Sequence, residues 1–529
     1  MHRLVTLATF LNTHARLVAL VLILLASTRI IATYSVFSYV TDEPAHIACG
    51  MEWLDRGTYY YEDQHPPLAR IAAAFLPWLL GAHSQGLSDT SSEGIAVLDS
   101  GRGRDVNLFL ARFGVLPFFW IACASVYFWS EHFADRLTAL FSLTLFSTLP
   151  VVLGHAGLAA TDMALTGFLG ATLLLTFLWF ERPTAVRTIL LAVAGACTVL
   201  SKLSSMPFFV AALAAVVVWL LIVKPSRLRC LTVRHLLLLL LGLVVCCLFV
   251  WAGYRFSFGL VNGTGPLRPA PEFFSGIKTA RWHNRTGHLA YLLGRFSQHG
   301  FTSYYPIALA VKTPLPFLLF SFIGIGVCFR HWRDLRTAIP LACSIGMLSI
   351  AIVCCHINIG IRHVLSLYVP LSIVAGIGAR ALGSVPRASS LAAVLLGWLI
   401  VSGVIAHPDY IAYFNEAASF HPERILIDSD LDWGQDNKRL GRRLRELKAS
   451  SVALLPAARE PGLPEVTAFS LTHPSPGWNA AHLTALKLLE HQTTTTTGQR
   501  VFWVDTEPPT ERVGRGILLW YCKHPCRSE

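Results

Sequence analysis

Apolar residues gather in long runs along the first four hundred positions, near 17–37, 108–130, 137–153, 163–180, 188–203, 207–223, 235–255, 314–329, 337–355, 363–380 and 389–406. A helix needs roughly 20 apolar residues to cross the hydrocarbon core of a bilayer. The pattern therefore predicts about eleven transmembrane helices. The short connections at 182–187, 224–234, 330–336 and 380–387 are basic, and the positive-inside bias places all four in the cytoplasm. One orientation satisfies them together: the N-terminus is inside, and the loops 38–107 and 256–313 and the tail from His407 are outside. Arg3, His14 and Arg16 precede the first run, which is too long for a signal peptide and lacks a clear small-residue cleavage site. It reads as an uncleaved signal anchor.

The first outer loop is acidic where it leaves the membrane, with Asp42, Glu43, Glu52, Asp55, Glu62 and Asp63 close together. Residues 66–80 form an apolar stretch broken by Pro77, too short to span, which predicts a helix lying along the interface. The second outer loop mixes Arg281, Trp282, His283, Arg285 and Arg295, as amphipathic segments at a headgroup layer do. In the tail, 436–447 has a helical pattern, short apolar runs follow at 452–455 and 501–504, and the threonine run 493–497 reads as a loop. The expected fold class is an all-α polytopic membrane protein with interfacial helices in its outer loops and a small C-terminal extracytoplasmic α/β domain. Residues 1–406 form the transmembrane domain and 407–529 the outer domain. No internal repeat is visible.

Composition narrows the picture. With 54% hydrophobic and 14% charged residues in 529, the chain is neither an array of soluble domains, nor disordered, nor a secreted disulfide scaffold. The net charge of +12 comes from Lys and Arg placed largely between apolar runs, not from one tract interleaved with aromatics. It fits topology and lipid headgroups, and no nucleic-acid partner is expected. Most of the twelve cysteines lie inside apolar stretches, where the thiol acts as a small hydrophobe. Cys522 and Cys526 are the only plausible disulfide pair, and their compartment decides whether it forms.

Candidate chemistry collects on the predicted outer side. Thr41-Asp42-Glu43-Pro44-Ala45-His46 directly follows the first span, so two carboxylates sit at the membrane surface. An aspartate fixed there can take a proton from a hydroxyl or cap an interfacial helix, and the two roles are compatible. Asp162 opens the fourth span after a short loop, again as a cap or as a functional acid. Glu62-Asp63-Gln64-His65-Pro66-Pro67-Leu68 has paired prolines that fix the backbone, and its His65 can orient substrate or ligate a metal. Lys202, Arg255 and the pair Arg362-His363 place cations at outer span ends. Singly each can snorkel; together with the acids they can hold a lipid phosphate beside a proton acceptor. The run 428–436 has four acids in nine residues but lacks the glycine and terminal-glutamate spacing of an EF-hand. It reads as structural or acceptor-facing, with Trp433 anchoring the outer domain near the membrane.

The Asp-Glu pair after the first span, the His-Pro-Pro-Leu segment and the Thr-Asp at the fourth span resemble polyprenyl-phosphate-sugar-dependent glycosyltransferases of the GT-C fold, a group with protein O-mannosyltransferases and aminoarabinose transferases. Asn358-Ile359-Gly360-Ile361-Arg362-His363-Val364-Leu365, His407-Pro408-Asp409-Tyr410-Ile411-Ala412-Tyr413-Phe414-Asn415-Glu416 and Asp428-Ser429-Asp430-Leu431-Asp432-Trp433-Gly434-Gln435-Asp436 resemble its bacterial phospholipid-carrier-dependent branch. The resemblance runs from residue 1 to about 445.

It implies inverting transfer of a sugar from a polyprenyl-phosphate donor to an acceptor hydroxyl on the outer face of an inner membrane. Asp42 would be the general base supported by Glu43, with Asp162 orienting acceptor or base. Lys202 and Arg362, with His363 and Arg255, would bind the donor phosphate; His65, Tyr413 and Asn415 would position substrate. Aminoarabinose transferases carry a Lys before the proline where this chain has His65, which separates the two at a phosphate contact. No cofactor is required, although a divalent cation is compatible with the chemistry.

Two other classes share the composition: a secondary transporter or lipid-carrier flippase, and a non-catalytic relative that only binds lipid-linked sugar. Transporters concentrate ionisable residues at the bilayer midplane, where Arg29 is the main candidate here. Lipid, glycan and protein acceptors all remain open. Asn262-Gly263-Thr264 and Asn284-Arg285-Thr286 fit the glycosylation sequon.

Overall fold

A computed structural model describes residues 9–225, 232–457, 460 and 462–523. Arg3, Cys526 and part of the 224–234 connection lie outside the described residues. Every apolar window of the sequence carries helix: Ala15–Ile31, Arg104–Phe133, Arg136–Thr148 continued by Pro150–Ala156, Asp162–Glu181, Ala185–Ser201, Ser205–Val223, Val233–Gly253, Leu315–Arg330, Leu335–Cys354, Tyr368–Ser384 and Ser389–Ile405. Among the described residues six helices are long and apolar enough to cross a membrane, eight when each bent pair is counted as one span. The difference from eleven comes from short helices. Ala15–Ile31, Ala185–Ser201 and Ser389–Ile405 have 17 residues each, about 26 Å at 1.5 Å per residue, just under the hydrocarbon thickness.

Local chemistry sets the helix ends and the bends. Asp135 caps Arg136–Thr148 by accepting from the Thr138 amide, and Thr184 caps Ala185–Ser201 by accepting from Arg187. Pro150 forces Leu149 into extended backbone, so the next helix departs at 65°. Pro314 does the same after Tyr304–Lys312, where the bend is 117°. The first bend turns Pro150–Ala156 inward and delivers the loop that ends at Asp162. Asn415 holds the second open: its amide donates to the carbonyls of Ala310 and Thr313.

Burial differs greatly among the helices. The Ile361–Ser384 stretch is mostly buried, whereas Val233–Gly253 buries none of its residues and packs along Ala185–Ser201. Arg29, the one midplane cation singled out above, donates to Tyr410 Oη at 3.1 Å and to the Gly403 carbonyl at 2.5 Å, tying the first helix to Ser389–Ile405. It acts as a structural tie.

The loops 38–107 and 256–313 contain the helices Glu43–Asp55, Pro67–Leu79, Thr90–Asp99 and Pro271–Thr286, the first and third pressed together so closely that a side chain on Gly94 would strike the Pro44 backbone. Tyr410, Phe414, Leu426 and Leu431 still belong to the core of the membrane helices. A separate core begins at Leu440 under a five-stranded sheet in the order 465–468, 451–455, 477–482, 517–522, 511–513, with the first two pairings parallel and the last two antiparallel. An all-α polytopic fold with a small C-terminal α/β unit is what the sequence led us to expect. One local reading changes: the threonine run 493–497 is the last turn and a half of the helix Leu483–Thr497, with the hydroxyls of Thr495, Thr496 and Thr497 bonded one turn back. The apolar run 501–504 leads into a short helix.

Candidate active site

Asp42 and Glu43 are adjacent but face opposite ways. Asp42 occupies the N-cap position of Glu43–Asp55, with Pro44 in the first turn, yet its side chain makes no capping bond. Its Oδ2 instead accepts from Arg362 at 2.8 Å, and about a third of the side chain is exposed. Asp162 begins its helix, where the helix dipole favours an anion. Its Oδ1 accepts from Lys202 Nζ at 2.6 Å, and Arg362 lies 3.9 Å from its other oxygen. Two acids and two cations from four distant stretches of chain thus form one contiguous cluster.

Glu43 lies outside this cluster, in a closed knot. Its carboxylate accepts from Arg112 Nε and an Arg112 terminal nitrogen at 2.8 and 2.7 Å, and from the amides of Ala159 and Val40, both at 2.8 Å. Arg112 also donates to the carbonyl of Ser38. Neither side chain is exposed to any extent, and the knot fixes the strand leading to Asp42 against the loop leading to Asp162. The sequence contained the signal for it: Arg112 is a charge inside an apolar window, where a charge is costly unless paired.

A second buried arginine, Arg70, shapes the His65 loop. It donates to His46, to Tyr59 Oη and to the carbonyls of Glu62 and His65, and pairs with the Glu62 carboxylate. His65 Nδ1 lies 3.1 Å from that same carboxylate. Burial, reinforced by the Lys202 ammonium, pushes His65 down to about 4, so the ring is neutral at neutral pH. The position that holds a Lys in aminoarabinose transferases supplies no standing charge here.

A cavity of about 560 Å³ opens beside the cluster. His65, Lys202 and His363 line one end, Arg281 and Arg285 of Pro271–Thr286 stand at the rim, and the rest is mainly apolar wall, Phe208 and Ile350 among it. Lys202 belongs to both cluster and cavity.

Other residues singled out in the sequence lie elsewhere. Arg255 stacks on Trp53 at 4.1 Å. Tyr413 packs within the helical core beside Ser402 and Glu416, and Asn415 braces the bend described above. Trp433 is no membrane anchor: it is 5% exposed, and the Arg362 guanidinium lies over its ring at 4.1 Å. Asp428, in the left-handed region at φ 59°, is pushed up to about 7, chiefly by burial. Among the described residues no group of three or more His, Cys, Asp or Glu is placed to hold a metal ion. Both acids of the cluster already face cations, and the residues do not fit a divalent ion.

No protein-family model and no characterised protein sequence matches the chain. Among solved structures it is similar to ArnT from Cupriavidus metallidurans bound to undecaprenyl phosphate, with a TM-score of 0.52 and 15% identity over 77% of this chain and 67% of that one. It is also similar to an oligosaccharyltransferase from Archaeoglobus fulgidus in the apo form, with a TM-score of 0.42 and 15% identity over 82% of this chain and 58% of that one. Both are glycosyltransferases of the GT-C fold. The arrangement of membrane helices shared with ArnT gives this chain the GT-C fold.

Proposed function

We propose that this chain is a membrane glycosyltransferase that moves a sugar from a polyprenyl-phosphate donor to an acceptor hydroxyl at the extracytoplasmic face, with inversion at the anomeric carbon. The observation that carries this reading is the Asp42–Arg362–Asp162–Lys202 cluster, whose Lys202 ammonium lines a cavity with a mainly apolar wall. A lipid phosphate has the same two halves. The ligand of ArnT, undecaprenyl phosphate, supports that donor class.

Arg362 holds Asp42 by Oδ2, leaving Oδ1 for the acceptor. As the acceptor oxygen attacks the anomeric carbon, Asp42 takes its proton and the bond from that carbon to the phosphate oxygen breaks. The electron pair departs on the phosphate, whose charge is met by Lys202 and Arg362, with His363 at the cavity wall. Two buried atoms, Asp162 Oδ2 and Arg362 Nε, have no hydrogen-bond partner among the described residues. Buried polar atoms are normally satisfied, and an acceptor hydroxyl and a phosphate oxygen are the groups that would complete them. Asp162 thereby orients the acceptor, and Glu43 acts on Asp42 only by fixing its backbone.

In this reading residues 1–406, with the loops 38–107 and 256–313, are the catalytic membrane domain, and 407–529 form the extracytoplasmic domain of an inner-membrane protein with a cytoplasmic N-terminus. The test is incubation of the reconstituted protein with radiolabelled polyprenyl-phosphate sugars and membrane acceptor lipids. Release of sugar-free polyprenyl phosphate with labelled acceptor is expected. Passage of intact donor across the bilayer without cleavage would overturn the proposal in favour of a transporter.

A further inference from the structure

The segment 428–435 grips the chain beside each partner of the Asp42–Arg362 pair. On one side, Ser429 Oγ donates to the Ile359 carbonyl at 2.5 Å and Asp430 Oδ1 accepts from the Ile361 amide at 3.0 Å. The fit is tight: a side chain on Gly360 would collide with Ser429 Oγ. Tyr304 Oη donates to Asp430 Oδ2, and Lys312 donates to the Asp430 carbonyl, so this turn is fastened from below as well. On the other side, the Trp433 carbonyl accepts from the amide and hydroxyl of Thr41, at 3.1 and 3.2 Å, and the Gln435 carbonyl accepts from the amide and hydroxyl of Ser38. Between these two grips lies the Trp433 ring, with the Arg362 guanidinium 4.1 Å from its centroid.

Arg362 is nearly buried, and its Nε has no hydrogen-bond partner among the described residues. Only one of its nitrogens reaches Asp42, so a single hydrogen bond would leave the planar group free to turn about that contact. The indole face removes this freedom, because a guanidinium lies flat against an aromatic ring and the contact strengthens when water is excluded. The segment is itself anchored in the C-terminal unit. Asp432 Oδ1 meets His482 Nδ1 at 2.9 Å and its carbonyl accepts from Thr484 Oγ1 at 2.7 Å.

We propose that Trp433 is a positioning residue that orients Arg362 toward Asp42, so that the polar tail beyond the last membrane helix is a structural part of the reaction centre. The role of the pair itself rests on the function proposed above.

The test is a double-mutant cycle of Trp433→Leu and Arg362→Ala in the full-length reconstituted protein, with Trp433→Phe as the conservative variant. Trp433→Leu should lower kcat about tenfold, Trp433→Phe should recover most of that loss, and Trp433→Leu should cost less than twofold more when Arg362→Ala is already present. Equal effects of Leu and Phe, or independent losses in the double mutant, would overturn the proposal. Should the wild-type protein transfer no sugar, the function fails but the contact is still tested: the two substitutions should shift the Tm non-additively, and additive shifts refute it.

Discussion

Two polar regions only one residue apart in sequence behave as opposites. Around Glu43 and Arg112 every oxygen of the acid is spoken for and water is excluded. Around Asp42, Arg362, Asp162 and Lys202 the charges also pair, but one carboxylate is partly exposed, two buried atoms have no hydrogen-bond partner among the described residues, and Lys202 opens onto a cavity. The first arrangement can only hold something still. The second is incomplete in the way that a binding site is incomplete before its ligand arrives. Buried charge whose hydrogen bonding is complete serves the fold, whereas buried charge left unfinished beside a cavity has room for a ligand.

The contrast is broken most severely by attacking the closed knot. Glu43→Gln removes one member of a fully buried pair and strands the Arg112 guanidinium, at a cost of about 3–5 kcal/mol. Little monodisperse protein should survive detergent extraction, as read by size-exclusion chromatography. The open cluster should respond in the reverse manner. Asp42→Asn retains an oxygen for Arg362 but cannot take a proton, so transfer should fall roughly 10²–10⁴-fold, while stability falls less than in Glu43→Gln because the Arg362 guanidinium keeps Asp162 at 3.9 Å. Kinetics and thermal unfolding on one preparation check both halves, and normal turnover would sink the base assignment.

The smallest effect is one of pH. Burial raises Asp428 in the folded protein to about 7, with Asp42 and Asp430 adding to the rise and Arg362 opposing it. An unfolded chain loses that proton near 4. The folded state therefore binds more protons between about pH 4 and 7, and this contribution to stability is lost as pH rises through that window. Asp428→Asn should flatten the profile, by roughly 2–4 °C in Tm between pH 5 and 8. Parallel wild-type and mutant profiles would remove Asp428 from the account.

The membrane fold was legible because hydropathy reports helices independently of their neighbours, so each run from 17–37 to 389–406 carries helix. Charge at span ends pointed to Asp42, Asp162, Lys202 and Arg362, which the chain brings together, but it pointed equally to Arg255, which stacks on Trp53. Position along the sequence does not say which way round a helix end faces. Arg112 stands out as a costly charge inside an apolar window, but nothing local names Glu43 as its partner, and Trp433 resembled an interfacial anchor because a tryptophan near a membrane has two common uses. Only the long-range contact with Arg362 distinguishes them. The threonine run shows the same limit locally: weak helix formers continue a helix when the Leu483 end is packed into the core.

Val233–Gly253, which has no fully buried residue and packs on one face only, has a consequence for how the protein is handled. Its 21 residues reach about 32 Å at 1.5 Å per residue, and tilting to fit a thinner film costs only fractions of a kcal/mol per Å. Acyl-chain length thus becomes a setting of the molecule itself, one that leans this outer helix while the inner bundle stands unchanged.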